Sequence, residues 1–234
     1  MSKKRIVVLS GAGISAESGI ATFRDTNGLW ENHRVEDVAS IEGWYRNPKL
    51  VLDFYNDRHR DAFSVKPNAG HLELVNWEKD FEVFVITQNV DALHEMAGSR
   101  NVLHLHGELS KYCSERNKNQ TYTWPEGKDL TLGELAPDGS QVRPFIVWFG
   151  EDVPNLQRAA EIAGTADAFV VVGTSLQVYP AAGLVGYVSK NCKVFIVDPK
   201  KPSNCYLPDN VTYIQSNATQ GLPTLSSILR KEML

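Results

Sequence analysis

Short apolar runs rich in Val, Ile and Phe alternate along this chain with longer amphipathic segments. Strands that are covered on both faces are apolar throughout. The runs therefore predict buried strands at residues 6–9, 83–87, 168–172, 193–197 and 211–214. Helical spacing of apolar positions between the runs predicts helices at residues 49–63, 69–79, 155–163, 181–190 and 220–231. The alternation predicts an α/β fold with a doubly wound parallel sheet, whose ligands bind outside the carboxyl ends of the strands.

Residues 111–143 interrupt this alternation. The segment is polar, contains turn residues such as Pro125, Gly127, Pro137 and Gly139, and shows little periodicity. Structureless loops of this length are uncommon inside compact domains, so we expect local structure here. The segment forms either a small subdomain or a long excursion from the main sheet.

Composition limits the classes of partner. The 234 residues carry a formal net charge of −4, which gives no reason to expect nucleic-acid binding through phosphate contacts. No stretch approaches the ~20 apolar residues of a membrane helix, and the apolar run at residues 6–9 is too short for a signal peptide. Cys113, Cys192 and Cys205 are scattered without a CxxC pair, which fits a reducing compartment. We therefore expect a cytoplasmic protein with neither nucleic-acid nor membrane partners.

A glycine-containing turn, residues 10–15, follows the first predicted strand directly. Gly11 and Gly13 let backbone amides approach an anionic group closely, and a following helix would add its dipole. The full G-x-G-x-x-G spacing is absent, so a plain tight turn explains the residues equally well. The next loop embeds Phe23, Arg24 and Trp30 among polar residues. It is either a surface loop anchored by aromatic side chains or a lid with Arg24 near phosphates.

Polar residues also follow the other predicted strands. Gln88, Asn89 and Asp91 end the second strand, where they could hold a ligand, although Asn89 or Asp91 could equally cap the next helix. Small hydroxyl residues suited to ribose or phosphate follow the third strand in the triplet Gly173, Thr174 and Ser175. Asp198 and Ala218 come after the last two strands. Because several strand ends carry such residues, we expect one ligand site at this edge of the sheet.

Two histidines, His104 and His106, lie two residues apart. On a strand they would point the same way, which suggests a metal pair, but no third ligand is nearby. A single histidine with a pKa near neutrality is the usual general base. Either histidine alone is more often structural than catalytic.

Together these segments resemble the sirtuin family. The similarity covers nearly the whole chain in the family's order, in the strings at residues 11–30, 87–94, 104–108, 147–151 and 173–182. The resemblance implies one catalytic domain over residues 1–234, with a Rossmann-like part that binds NAD as co-substrate. It also implies a small subdomain built from insertions at about 35–65 and 111–143.

The resemblance implies the NAD contacts by position. Residues around the pyrophosphate and the nicotinamide ribose would be Gly11, Ala12, Gly13, Phe23 and Arg24, with Ser15, Glu17, Trp30 and Val90 as further cofactor contacts. The ribose and nicotinamide pocket would be formed by Gln88, Asn89 and Asp91. The adenosine half would meet Gly173, Thr174 and Ser175, with Asp198 and Ala218 nearby.

The resemblance also implies the reaction. Nicotinamide leaves NAD, the acyl-lysine oxygen attacks the ribose, and His106 acts as the base, giving free lysine and O-acyl-ADP-ribose. Asn89 and Asp91 would be catalytic with His106. The partner would be an acyl-lysine protein or peptide that pairs by β-augmentation with the strand edge at Val147, Trp148, Phe149 and Gly150.

The acyl group is implied by Tyr55 and Arg58, which share one face of a predicted helix. Taken alone, they belong to a charged, solvated surface with Asp53, His59 and Asp61. The pair resembles the YxxR motif of bacterial-type sirtuins that remove succinyl or malonyl groups, where an Arg fork and a Tyr hydroxyl bind a carboxylate. Ala39 resembles the small residue that makes room for a long acyl group, and acetyl groups could still be accepted.

One part of the family pattern is missing. Most sirtuins bind a structural zinc through four cysteines, but here only Cys113 lies in that region. We therefore predict no zinc and expect a small apolar cluster of Tyr112, Tyr122 and Trp124 instead.

Three other functions fit parts of the sequence. A mono-ADP-ribosyltransferase would use NAD and His106 but has no need of the Tyr55 and Arg58 pair. A non-catalytic NAD sensor need not keep His106, Asn89 and Asp91. A redox dehydrogenase would normally show the full dinucleotide fingerprint.

Overall fold

The computed structural model describes residues 3–21, 29–203, 205 and 207–234. Phe23 and Arg24 lie outside the described residues. The strands are β1 Arg5–Ser10, β2 Leu29–Trp30, β3 His33–Arg34, β4 Glu82–Thr87, β5 Val102–His104, β6 Gly107–Ser114, β7 Thr121–Thr123, β8 Val142–Ile146, β9 Ala168–Val172, β10 Lys193–Val197 and β11 Val211–Ile214. The α-helices are α1 Val35–Val38, α2 Ile41–Arg46, α3 Pro48–Ser64, α4 Ala69–Trp77, α5 Leu93–Ala97, α6 Leu156–Gly164 and α7 Ala218–Met233.

The main sheet contains six parallel strands in the order β11-β10-β9-β1-β4-β5. Two apolar clusters cover its two faces, one around Trp77 and Leu222 and the other around Phe169 and Leu184. Each central strand contributes alternate side chains to the two clusters, which explains why the strands are apolar throughout. The predicted α/β fold with a doubly wound parallel sheet is confirmed.

The predicted helix at residues 181–190 is wrong in type and length. The structure has a 3₁₀ helix, Ala181–Tyr187, followed by extended backbone at Val188. Gly183 and Gly186 lie inside this segment, and glycine weakens an α-helix because its backbone loses more conformational freedom on folding. The other predicted helices occur with shifted ends. No helix within the described ranges is both long and apolar enough to cross a membrane.

Residues 111–143 contribute to a second, antiparallel sheet in the order β7-β6-β8. Tyr112 pairs with Tyr122 across β6 and β7, and Cys113 pairs with Arg143 across β6 and β8. This sheet shares one apolar cluster with helices α1 to α3. The expectation of local structure in this segment is therefore correct, and the segment packs on the part of the chain near residues 35–65.

Candidate active site

Two glycine turns meet at the carboxyl ends of β1 and β9, which are neighbours in the sheet. The N–H of Gly11 donates to the Val172 carbonyl across 3.0 Å, and that of Gly13 donates to the Gly173 carbonyl across 2.8 Å. A Cβ on Gly13 would lie 2.7 Å from the Cα of Gly173, whose φ is +63°. Only glycine lets the two backbones approach this closely, so the turns form a cradle of bare backbone that fits the pyrophosphate of a dinucleotide.

The α-helix expected after the first glycine turn is absent from the described backbone. Two 3₁₀ helices, Ala12–Ile14 and Ala16–Ser18, follow instead, so an α-helix dipole does not act here. Asn68 holds this irregular segment by donating to the Ile14 carbonyl across 2.8 Å and to Ser18 Oγ across 3.0 Å. Sequence reasoning missed Asn68, because its partners are about fifty positions away.

A buried group of polar side chains lies next to the cradle. Ser15 Oγ donates to Asp91 Oδ2 across 3.0 Å and accepts from the Asn89 amide across 3.1 Å. The other Asp91 oxygen accepts from the Leu93 N–H at the start of α5, so Asp91 also supports that helix. Burial raises the pKa of Asp91, against the hydrogen bonds from Leu93 and Ser15. The structure thus brings Ser15, Asn89 and Asp91 into one hydrogen-bonded group.

Gln88 connects the end of β4 with the end of β9. Its side-chain amide donates to Thr174 Oγ1 across 3.1 Å, and its carbonyl lies 3.1 Å from His106 Nδ1. Val90 follows in the same loop and accepts the Leu109 N–H across 2.8 Å. These contacts place residues from three predicted motifs around one cleft.

His106 has the geometry of a proton acceptor. Because Nδ1 faces the Gln88 carbonyl, Nδ1 carries the proton and Nε2 keeps its lone pair. Burial lowers the pKa of His106, and the bond to Gln88 only partly opposes this. Because its pKa is lowered, the ring is neutral at neutral pH. The side chain is only half-buried, so a ligand can still reach it.

His104 and His106 do not share one strand. His104 ends β5, whereas His106 lies in the bend before β6 begins at Gly107. His104 Nδ1 lies 2.8 Å from the Asn89 carbonyl and its Nε2 lies 2.8 Å from Glu95 Oε1. The two rings therefore have separate partners and do not form a metal pair.

The segment predicted to bind a peptide follows β8. Its N–H groups at Val147, Trp148 and Phe149 already donate to the His106 carbonyl, the Glu151 carboxylate and the Ala39 carbonyl. These three N–H groups are therefore not free to pair with a peptide, in contrast to the free strand edge expected here. The Phe149 side chain is 49% exposed, and Gly150 after it is exposed too.

Tyr55 is fully buried rather than part of a solvated helix face. Its hydroxyl oxygen accepts the indole N–H of Trp148 across 3.1 Å, and burial raises the pKa of Tyr55, so the hydroxyl stays protonated. Arg58 lies one turn later, with its side chain 18% exposed and paired with Asp61 across 2.8 Å. Ala39 is buried in the same apolar cluster as Tyr55.

Several residues predicted to contact NAD have partners within the chain. Glu17 accepts the N–H and the hydroxyl of Thr219 in the first turn of α7. Asp198 accepts the Lys200 N–H across 2.8 Å. Ala218 is buried at the start of α7, and Ser175, which follows Thr174, is half-buried. Trp30 packs against Phe54 with ring centroids 4.9 Å apart.

The side chains near Cys113 do not fit a zinc site. Cys113 is buried, its Sγ faces the Pro144 carbonyl, and burial raises its pKa to about 11, which opposes the thiolate that zinc requires. The charged groups that act on Cys113 are Arg143, Glu151 and Lys118. Ser114, the next residue in the chain, donates to Asp138 Oδ2 across 2.5 Å, and Ser140 donates to Oδ1 across 2.7 Å. The described residues contain no group of three or more His, Cys, Asp or Glu suited to a metal ion.

The expected apolar cluster of Tyr112, Tyr122 and Trp124 forms only in part. Tyr112 and Tyr122 stack with centroids 5.2 Å apart. Trp124 instead stacks on the buried ring of His59 at 4.0 Å. His59 also lies within hydrogen-bond distance of the carbonyls of Leu109 and Pro125, so it joins α3 to the small sheet rather than facing solvent.

Comparison with known proteins identifies the family of this chain. The chain is 51% identical over 235 residues to an NAD-dependent protein deacylase of Helicobacter pylori strain J99, with 99% of each chain covered. It is 50% identical over 230 residues to an NAD-dependent protein deacylase of Bacteroides thetaiotaomicron, covering 97% of this chain and 98% of the relative. A crystal structure of a Sir2 homolog–NAD complex matches with a TM-score of 0.86 at 35% identity, over 99% of this chain and 91% of that one. A model of the Sir2 family matches residues 11–180, and the chain belongs to that family.

Proposed function

We propose that this chain is an NAD-dependent protein-lysine deacylase that favours acyl groups ending in a carboxylate, such as succinyl or malonyl. The NAD-dependent deacylase activity is supported by family membership and by relatives that match nearly the whole chain. The acyl preference is the finer part of the proposal. It rests on the side chains around Tyr55.

The cleft fits NAD in two ways. The cradle of Gly11, Gly13 and Gly173 exposes backbone at the carboxyl edge of the parallel sheet, where such sheets bind dinucleotides. Ser15, Asn89 and Asp91 provide hydroxyl, amide and carboxylate groups in a buried pocket beside it. When bound, NAD supplies the ADP-ribosyl group that receives the acyl group.

The observation that carries the proposed chemistry is the position of His106 Nδ1, which lies 3.1 Å from the Gln88 carbonyl. Its Nδ1–H donates to the Gln88 carbonyl, so Nε2 can take the proton that a ribose hydroxyl loses. The Gln88 backbone also leads into Asn89 and Asp91, so one loop orients the base and lines the pocket. A general base of this kind contributes about 10²–10⁴-fold in rate.

The acyl preference is argued from Arg58. Its side chain is largely buried, yet it pairs with the exposed Asp61, whose side chain is 66% accessible. Ion pairs at exposed sites contribute little stability, about 0–1 kcal/mol, so a ligand carboxylate can replace Asp61 at small cost. Tyr55 accepts from Trp148 and keeps its own O–H to donate. A carboxylate between these two side chains would receive both a charge-assisted and a neutral hydrogen bond.

Mass spectrometry of paired succinyl-lysine and acetyl-lysine peptides, with and without NAD, tests this proposal. We expect NAD-dependent loss of succinyl with formation of O-succinyl-ADP-ribose. Arg58→Met should reduce desuccinylation at least 10-fold relative to deacetylation, and Arg60→Met on the same helix is the matched control. If only the acetyl-lysine peptide is deacylated, Arg58 does not bind a ligand carboxylate. No deacylation of either peptide would redirect the assignment to ADP-ribosyl transfer or NAD sensing.

We also infer that the protein works in a reducing compartment such as the cytoplasm and holds no structural zinc. The three cysteines are free, with Cys113 and Cys192 buried. Ser114 and Ser140 donate to the Asp138 carboxylate in the part of the chain that carries zinc cysteines in most sirtuins.

A further inference from the structure

The imidazole of His104 faces an acceptor at each nitrogen. Nδ1 lies 2.8 Å from the Asn89 carbonyl oxygen, and Nε2 lies 2.8 Å from Glu95 Oε1. A carbonyl oxygen and an ionised carboxylate have no hydrogen to donate. Both ring nitrogens must therefore donate, and a histidine that donates at both nitrogens is an imidazolium.

We propose that His104 is a positioning residue of the active site that acts as an imidazolium, holding the Asn89 backbone while His106, two residues later, acts as a neutral base. This inference rests on the proposed deacylase function. It assigns opposite protonation states to two neighbouring histidines, because Nδ1 of each donates to a carbonyl but only His104 has a carboxylate at Nε2.

The charges around His104 favour this state. Burial alone would lower its pKa, but the hydrogen bond and the charge of Glu95 outweigh burial and raise it. Glu108 on β6 adds a second negative charge, and Asp91 faces the ring from the loop after β4. His94 on α5 adds no positive charge, because burial lowers its pKa to about 3.

The position of Asn89 depends on His104 directly. The Asn89 N–H donates to Thr87 Oγ1 across 3.0 Å, its side chain donates to Ser15, and its carbonyl accepts from His104. Only the last of these bonds is charge-assisted, and such bonds are roughly twice as strong as neutral ones. His104 also connects this loop to α5 through Glu95, and its own carbonyl accepts from Asn155 across 2.8 Å.

Loss of the proton from His104 would place a ring lone pair against one of the two oxygens. Either Asn89 or Glu95 would then be released, and the pocket would loosen. The folded-state pKa is raised, so the contact is complete at low pH and is lost as the pH rises through that raised pKa. Deacylation should therefore show an acid limb from His106 and an alkaline limb from His104.

The pH dependence of kcat/KM in three variants tests this assignment. His104→Asn keeps a donor towards Asn89 without a titrating ring, so the alkaline limb should disappear. Glu95→Gln removes the carboxylate partner and should move the alkaline limb by about one pH unit or more towards acid, with the acid limb unchanged. Glu161→Gln, an exposed carboxylate on α6, is the matched control and should move neither limb.

An NMR titration of the histidine ring protons gives a readout that does not depend on activity. The His104 resonance is assigned by its loss in His104→Asn. We expect it to titrate above the ordinary histidine value of about 6.5 in wild type and at lower pH in Glu95→Gln. A His104 resonance that titrates below this value would overturn the assignment even in an active enzyme. If the resonance behaves as expected but no peptide is deacylated, the proposed function fails and the imidazolium stands.

Discussion

Trp148 donates its indole N–H to the hydroxyl oxygen of Tyr55 across 3.1 Å, and both side chains are buried. This bond connects α3 to the segment after β8. Tyr55→Phe removes the acceptor and leaves the buried indole N–H unpaired. We expect the free energy of unfolding to fall by about 1–3 kcal/mol, measured by urea denaturation. Tyr45→Phe, at a side chain that is 72% exposed, is the control and should change it very little.

A double variant separates the contribution of this hydrogen bond from that of packing. In the double variant Tyr55→Phe with Trp148→Phe neither partner is left unpaired, so the loss beyond that of Trp148→Phe alone should be small. If Tyr55→Phe costs the same with and without the Trp148 indole, the bond does not contribute to stability.

His106→Gln should reduce deacylation about 10²–10⁴-fold while NAD binding, measured by calorimetry, stays within a few-fold. The base is active when neutral. Because burial lowers the pKa of His106, the acid limb of kcat/KM should lie below the ordinary histidine value of about 6.5. Activity should be lost as the pH falls through that lowered pKa. An acid limb above 6.5 would contradict the burial of the ring.

Glu151→Ala should be strongly destabilising. Glu151 pairs with the buried guanidinium of Arg143 at 2.7 Å and 3.1 Å, and Arg143 also lies 3.4 Å over the Trp148 ring. Removing one partner leaves a buried charge uncompensated, which costs about 3–5 kcal/mol. Lys118→Ala removes only the exposed ion pair with Glu151 and should lower the free energy of unfolding by about 1 kcal/mol or less. Equal losses in the two variants would argue against a buried pair.

Treatment with a metal chelator should change neither stability nor activity. Incubation with a chelator is expected to alter neither Tm nor deacylation, since Asp138 accepts from Ser114 and Ser140 where a zinc site would need thiolates. Zinc measured by mass spectrometry in stoichiometric amount, with a chelator-dependent fall in Tm, would overturn this expectation.

Asp138 provides an independent test of the same contacts. The hydrogen bonds from Ser114 and Ser140 lower its pKa to about 2. A lowered pKa gives stability that is present above the unfolded value of about 3.9 and is lost as the pH falls towards 2. The Tm difference between wild type and Asp138→Asn should therefore be largest near neutral pH and shrink across that acid range. A difference that stays constant with pH would mean that the charge has no part in it.

The apolar runs predicted the main sheet well because its strands are buried on both faces. The runs at residues 168–172 and 193–197 coincide with the buried strands β9 and β10, and the run at residues 211–214 coincides with the edge strand β11, which is only partly buried. Polar residues at strand ends likewise indicated that the loops after β4 and β9 lie close together, where Gln88 contacts Thr174, because parallel strands end at a common edge. The resemblance to sirtuins supplied His106, which no local pattern distinguishes from His104.

Other features depend on contacts between distant parts of the chain. His59 was expected on a solvated surface, but its ring stacks on Trp124, sixty-five positions later. His71 closes a capping box with Asn68 at the start of α4, and burial lowers its pKa to about 4. The sequence pattern does not indicate that such residues are buried, because their surroundings form only when the two sheets and their helices pack.

The contact between the turns of Gly13 and Gly173 restricts how this site can change during evolution. A side chain at either position would strike main-chain atoms of the opposite turn, at 2.3–2.7 Å. A second substitution can trim a clashing side chain, but it cannot remove backbone. Neither position therefore has a compensating partner, and the two glycines can be replaced only if the strands that carry them move apart. The close approach that exposes the backbone to a dinucleotide therefore also prevents Gly13 and Gly173 from changing by single substitutions.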